Sequence, residues 1–195
     1  MAKRWKLVGG RLSLDFVNTL SWRGRVTPRE DLVTYADLLD WSAAAGIVPA
    51  TKKTSSAERE TTLTRARALR ESISRLLVAW FGGQRLRRSD LERLNQELPR
   101  REELYLRRGK LVWGAPAHAI LGPIAQCAAD LLTEGERERL KSCGSEECAW
   151  LFYDESRTGG RRWCSMADCG NRAKARRHYD RKRSVATTFT PKSER

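Results

Sequence analysis

The 195-residue chain, of 22.3 kDa, is 40% hydrophobic, enough for a real core and too much for a disordered chain. Its 38 Lys+Arg against 24 Asp+Glu give a formal charge of +14 and a sequence pI near 10.2, so an anionic polymer is the natural partner, nucleic acid first. No stretch approaches the roughly 18 apolar residues of a membrane span. Met1 to Trp22 lacks the apolar core and cleavage site of a signal peptide, so no membrane partner is expected and a reducing cytoplasm is the expected compartment.

Trp5 to Val8 and Leu12 to Val17 are apolar stretches around Gly9-Gly10, which predicts a β-hairpin whose second strand leads into a helix. Thr34 to Asp37 has a capping pattern ahead of Leu38, Leu39 and Trp41, with Gly46 as the stop. Leu63, Ala66, Leu69, Ile73, Leu76, Leu77 and Trp80 recur at helical spacing, predicting a long helix from about Ser56 to Phe81 that Gly82-Gly83 ends. A shorter helix starts near Ser89 and reaches about Leu98, before Pro99. A second hairpin pairs Leu104 to Leu106 with Leu111 to Trp113, and a last helix is expected from about Pro116 to Leu132. Hairpin, helices, hairpin, helix is an α+β order. Asp15 and Asn18, at the predicted strand-to-helix junction, read as cap or turn residues, or else as the lining of a small ligand pocket. Trp22, Trp41, Trp80 and Trp113 read as core anchors or cavity walls, and His118 belongs to no motif.

Cys143, Cys148, Cys164 and Cys169 form two pairs, with four residues inside each pair and fifteen between them. Two short loops that each offer two thiolates supply the soft ligands tetrahedral zinc takes, with little loop-closure entropy. Disulfides or redox thiols are the competing reading, but nothing in the chain points to secretion, and in a reducing compartment such a pattern is more often metal. Four cysteines complete a closed structural site with no open position for a catalytic water. No nucleotide-binding glycine loop, metalloprotease helix or nucleophile elbow is present, so no enzyme is expected. Cys127 reads as a small buried hydrophobe, and His178 faces away from Cys169 on a straight helix.

Ala149 to Tyr153 is an aromatic and apolar run suited to a strand; Arg161 to Trp163 can return as its partner, with Asp154 to Gly160 as the turn. The second cysteine pair then opens a helix that continues to Arg183, with Gly170 letting the chain turn closely and Asn171 as a cap. Knuckle, hairpin and helix make a treble-clef-like arrangement. Arg157 to Arg183 holds ten basic residues and two acids, so 27 residues carry more than half of the net charge. Arg172, Lys174, Arg176, Arg177 and Arg181 are the expected nucleic-acid contacts, with Arg161 and Arg162 closing on the backbone. Most would neutralise phosphates while one or two reach base edges. From Ser184 onward, a Thr- and Ser-rich stretch with Pro191 is expected to fray.

The tetrapeptide Cys-Gly-Asn-Arg at 169–172, with Leu-Phe-Tyr-Asp at 151–154 and Arg-Arg-Trp-Cys-Ser-Met at 161–166, closely resembles the CGNR zinc finger. Upstream, Gly10 to Thr19 and Asp37 to Gly46 resemble the ABATE domain that accompanies this finger, a predicted stress-induced transcription regulator of bacteria. Together the two cover nearly the whole chain. The expected organisation is an ABATE-like α+β domain over residues 1–136, mainly helical with two β-hairpins, for sensing or association. A treble-clef-like finger holding one structural Zn2+ follows over 137–184, and a flexible tail over 185–195. The resemblance implies a cytoplasmic bacterial regulator that binds double-stranded DNA through the finger and its basic helix. A homodimer would let two fingers address a repeated site, and any small-molecule effector is left open. An RNA-binding or ribosome-associated zinc protein is the alternative, because phosphate-directed charge does not distinguish the polymers. Exposed Trp150, Phe152 and Tyr153 would stack on unpaired bases; buried ones favour DNA. A zinc-stabilised enzyme built around Asp15 and Asn18 is a third class.

Overall fold

The computed structural model describes residues 5–47, 54–98, 104–107, 110–113 and 120–187, with 104–107, 110–113 and 184–187 described by backbone alone. Its elements are α1 (Leu12–Val17), β1 (Leu20–Ser21), β2 (Arg29–Glu30), α2 (Tyr35–Ala44), α3 (Ser56–Phe81), α4 (Arg88–Glu97), β3 (Leu104–Arg107), β4 (Lys110–Trp113), α5 (Leu121–Glu134), β5 (Leu140–Ser142), β6 (Leu151–Tyr153) and α6 (Asn171–Thr187). The strands form three separate antiparallel pairs in chain order. The fold is α+β, with a mainly helical N-terminal part carrying two hairpins and a small four-cysteine module behind it.

α3 is the central post. Its stripe of Ala66, Leu69, Ile73, Leu76 and Leu77 is buried, and α1, α2, α4 and α5 pack on it. The Ser55 hydroxyl accepts the Glu58 amide while the Glu58 carboxylate accepts the Ser55 amide, and the same reciprocal box at Thr34 and Asp37 starts α2. Gly46, with φ 77°, follows the end of α2 as expected.

The first predicted hairpin is wrong in place. Leu12–Val17 is a helix, α1, with Leu14, Phe16 and Val17 buried. Six residues are too few for a helical period to show, and the apolar run reads as a strand. Gly9-Gly10 turns the chain into α1 instead of across a hairpin: the Asp15 carboxylate accepts the Gly9 amide at 2.7 Å and Gly10 has φ 77°. The hairpin lies further on, with Leu20 opposite Glu30 and Ser21 opposite Arg29. The second hairpin is where the sequence puts it, Leu104 opposite Trp113. α5 begins its described course at Leu121; Pro99, Pro116 and His118, and the tail from 188, lie outside the described residues. α6 continues through Thr187, past Ser184 where fraying was expected.

β6 also pairs differently from the prediction. Its partner is β5, with Leu140 opposite Tyr153 and Ser142 opposite Leu151, and not Arg161 to Trp163. The cause is Asp154, 0% exposed, whose carboxylate accepts Lys141 Nζ at 2.7 Å and the amides of Ser156 and Arg161 at 3.0 and 2.8 Å. The returning chain therefore wraps a buried carboxylate as a loop. The Lys141 ammonium holds the Asp154 carboxyl well below the usual carboxylate range.

Leu140, Leu151 and Tyr153 belong to the same apolar core as α1, α3 and α5, so the C-terminal hairpin is built into the N-terminal helices. Asn18 fixes the join. Its side-chain amide donates to the Leu151 carbonyl at 2.8 Å and its oxygen accepts the Leu151 amide at 3.0 Å, both buried. Asn18→Ala leaves two buried backbone groups without partners, for an expected loss of about 2–4 kcal/mol. Urea unfolding measures it; a change inside roughly 0.5 kcal/mol would contradict the role.

Candidate zinc centre and nucleic-acid interface

Cys143 and Cys148 flank the turn that joins β5 to β6; Cys164 ends the Asp154 loop, and Cys169 lies in a single π-helical turn, Met166–Gly170, that runs straight into α6. All four are buried, and their sulfurs lie within 4.8 Å of one another. Cys164 Sγ stands 3.7 Å from Cys148 Sγ and 3.6 Å from Cys169 Sγ. A zinc tetrahedron with bonds of about 2.3 Å has sulfur–sulfur edges of about 3.8 Å, so the donor set and its spacing fit one structural zinc ion. Without a cation the thiols oppose one another's ionisation. Hydrogen bonds from Cys148 and Cys164 hold the Cys143 thiol well down, and Cys143 in turn pushes Cys148 up to about 12 and Cys164 higher still. A divalent ion makes four adjacent thiolates tolerable. His178 is exposed on α6 and is not part of the cluster.

Ser165, not Asn171, caps the last helical stretch: its hydroxyl accepts the Asp168 amide at 3.2 Å. Asn171 is inside the helix, where its side chain donates back to the Ala167 carbonyl at 3.1 Å. Gly170 is as close to its surroundings as expected, since a Cβ there would meet Met166 Sδ at 2.4 Å.

The predicted basic residues divide into two groups. Arg161 is taken up inside the finger, where its guanidinium donates to the carbonyls of Val8, Trp163 and Cys164 and lies 4.3 Å from the Phe152 ring centroid. Arg172 donates to Cys169 Sγ at 2.9 Å and stacks 4.7 Å over Trp22. Arg172 is nonetheless exposed, as are Arg162, Lys174, Arg176, Arg177 and Arg181. A groove between the first knuckle and α6 is lined by Arg162, Trp163, Arg172, Arg176 and Arg177, and Lys174, Arg177 and Arg181 share a further face of the helix with His178.

Trp22 was not legible as a functional residue. It occupies φ 61°, rare for a bulky residue, with Arg25 4.1 Å over one face of the ring system and Arg172 also stacked on it. Arg25 is in turn paired with Glu147 at 2.6 Å. Lys6 makes a second tie to the finger, 2.6 Å from Asp168. Neither has a local sequence signal, because both partners lie more than a hundred residues away.

Asp15 and Asn18 both border a small cavity. Burial pushes the Asp15 carboxyl up from its ordinary 3.8 to about 6, against the Gly9 and Val8 amides and the Arg161 charge, which lower it. The folded chain thus binds this proton more tightly than the unfolded chain, and stability falls as pH rises from about 4 through about 6. Above that window the ionised group opposes folding by up to about 3 kcal/mol. Asp15→Asn keeps an oxygen for the Gly9 amide and removes the charge. Denaturant unfolding is expected to show about 1–3 kcal/mol of stabilisation at pH 8 and little at pH 4; an equal effect at both pH values would contradict it.

A buried four-cysteine knuckle that runs directly into a basic helix, built on a helical α+β body, defines a structural zinc-finger protein. Residues 139–182 match the CGNR zinc finger, and residues 10–135 match the ABATE family, described as "Putative stress-induced transcription regulator". The chain belongs to the ABATE family and carries a CGNR zinc finger. Neither description names an enzymatic activity. No curated protein matches the chain. Among the described residues no helix is long and apolar enough to cross a membrane.

Proposed function

We propose that this regulator binds double-stranded DNA through α6 and the groove beside it, with the N-terminal helices receiving a signal or joining two copies. The observation that carries the reading is α6 itself. Every residue from Asn171 to Arg183 except Ala173 is exposed, and the helix packs mainly on the zinc-bearing turn at its root. Its 17 residues make a rod of about 25 Å, slender enough for the major groove, which is about 12 Å wide. Lys174, Arg176, Arg177 and Arg181 meet phosphates and base edges, and Arg162 extends the basic surface onto the loop. Arg161 acts from within, holding the finger's loops, and Arg172, exposed at the root of α6, ties the start of the helix to Cys169 and Trp22.

Burial of two of the three aromatics, Phe152 and Tyr153, supports duplex DNA over unpaired RNA, whereas Trp150 is only half-buried. Phe152 is 0% exposed and Tyr153 6%, so neither offers a stacking face to an extruded base. If about six phosphates are neutralised, log affinity falls with log salt at a slope of about −5. Fluorescence anisotropy with a labelled duplex at several salt concentrations measures this, and a flat response would remove the proposal.

A further inference from the structure

α6 is a lever held at one end. None of the side chains described on it is buried, and it packs mainly on the zinc-bearing turn. Over a rod of about 25 Å, a swing of about 10° moves the far end by about 4 Å. Contacts to phosphates and bases work within hydrogen-bond reach, about 3 Å, so such a swing takes Arg177 and Arg181 off their partners. The direction of the helix therefore has to be fixed at its root. Arg172, in the first turn, carries contacts that do this: besides its bond to Cys169 Sγ at 2.9 Å, its guanidinium lies 4.7 Å from the Trp22 ring centroid.

Trp22 is held out to meet it by a hairpin anchored at both ends. The base of β1–β2 is bound to α3, where Arg70 donates to both Glu30 oxygens at 2.6 Å and Arg23 donates to Glu71 at 2.9 Å. The tip is seated on the first zinc knuckle. There the Gly24 amide donates to the Glu147 carbonyl at 3.3 Å, a Cβ on Gly24 would stand 1.6 Å from the Glu146 carbonyl oxygen, and Arg25 pairs with the Glu147 carboxylate at 2.6 Å. Trp22 opens the tight turn between these anchors, its carbonyl accepting the Arg25 amide at 2.9 Å. It does so at φ 61°, which a bulky residue keeps only where the surrounding structure imposes it. Glycine or asparagine would satisfy that backbone at lower cost. What the indole adds is a π face for two guanidinium groups, Arg25 at 4.1 Å and Arg172 at 4.7 Å, and cation–π attraction is strongest over tryptophan.

We propose that Trp22 is a positioning residue for DNA binding: it holds Arg172, and through it the root of α6, in the direction the duplex requires, without itself touching DNA. The unit that presents the basic helix is then the finger together with the N-terminal hairpin, with α3 as the frame on which both are aligned. The effect on binding rests on the duplex reading of α6; the clamp itself does not.

Two full-length, zinc-loaded variants separate the indole face from its bulk, because Trp22→Leu removes the π face and Trp22→Phe keeps one. Without DNA, hydrogen exchange at residues 172–176 is expected to quicken about tenfold in Trp22→Leu and to stay near the parent rate in Trp22→Phe, with Leu69 to Leu77 of α3 unchanged in both. Unaltered exchange at 172–176 in Trp22→Leu overturns the clamp, and so does a rise of equal size across α3, which marks a general loss of stability. Gly24→Ala is the independent check: its Cβ forces the tip off the knuckle and leaves the indole in place, so the same quickening at 172–176 is expected and its absence overturns the clamp. Anisotropy with the labelled duplex reads the consequence. Trp22→Leu is expected to bind about tenfold more weakly and Trp22→Phe within about threefold of the parent; parent-like binding by Trp22→Leu, or an equal loss in both, overturns the positioning role. Failure of the parent protein to bind duplex at all would overturn the DNA reading and this consequence together, while exchange still decides the clamp.

Discussion

Replacing Cys164 or Cys169 with serine is expected to strip the zinc and unfold α6 together with the turn that carries it. Metal affinity in small zinc sites is largely folding energy, about 10–16 kcal/mol in zinc-finger peptides, and a missing thiolate removes much of it. That is comparable with the whole stability of an ordinary domain, about 5–15 kcal/mol. Little else holds these elements. The sulfur cluster packs with Phe152, Val8, Trp150 and Trp163, and α6 has no buried side chain among its described residues. The damage does not stop at the finger, because Leu140, Leu151 and Tyr153 belong to the N-terminal core. We expect zinc content to fall from one ion per chain to a small fraction, helical circular dichroism to drop by the share of α6, and the remaining body to melt earlier. Full metal content with an intact fold would contradict a structural zinc.

The second large effect is expected at Lys174, Arg177 and Arg181, which share one face of α6. All three are exposed, so changing them to alanine leaves the fold in place. If each neutralises one phosphate, each contributes about 0.9 to the salt slope and a similar amount to log affinity near 0.1 M salt. The triple variant is expected to bind duplex DNA roughly 10²–10³-fold more weakly, with the slope reduced from about −5 to about −2. Arg172 is a poor choice for this test. Its guanidinium donates to Cys169 Sγ and stacks on Trp22, so Arg172→Ala disturbs the zinc centre and the hairpin docking along with any phosphate contact.

What the sequence disclosed follows from how local each cause is. The zinc ligands were legible because thiolate chemistry is specific and each pair is brought together by its own short loop. α2 and α3 were legible because a capping box and a long apolar period are written into neighbouring residues, as at Ser55, Glu58 and the stripe from Ala66 to Leu77. α1 was not, because six residues hold less than two helical turns and Leu14, Phe16 and Val17 fit a strand pattern as well. The pairing of β6 was missed for another reason. Its partner is chosen by Asp154, which draws in Lys141 from β5 and the Arg161 amide from the loop, an outcome of three distant segments at once. Asp15 and Asn18 were visible as polar residues in an apolar run, but the Leu151 join and the small cavity depend on a finger more than a hundred residues downstream.

The most direct measurement incubates zinc-loaded protein with fragmented genomic duplex DNA at two salt concentrations, with an RNA competitor present and the Lys174, Arg177 and Arg181 triple-alanine variant in parallel. A sequence-reading duplex binder is expected to enrich particular fragments, to lose them in the variant and to hold them against RNA. Equal competition by RNA with no enriched fragment would contradict it.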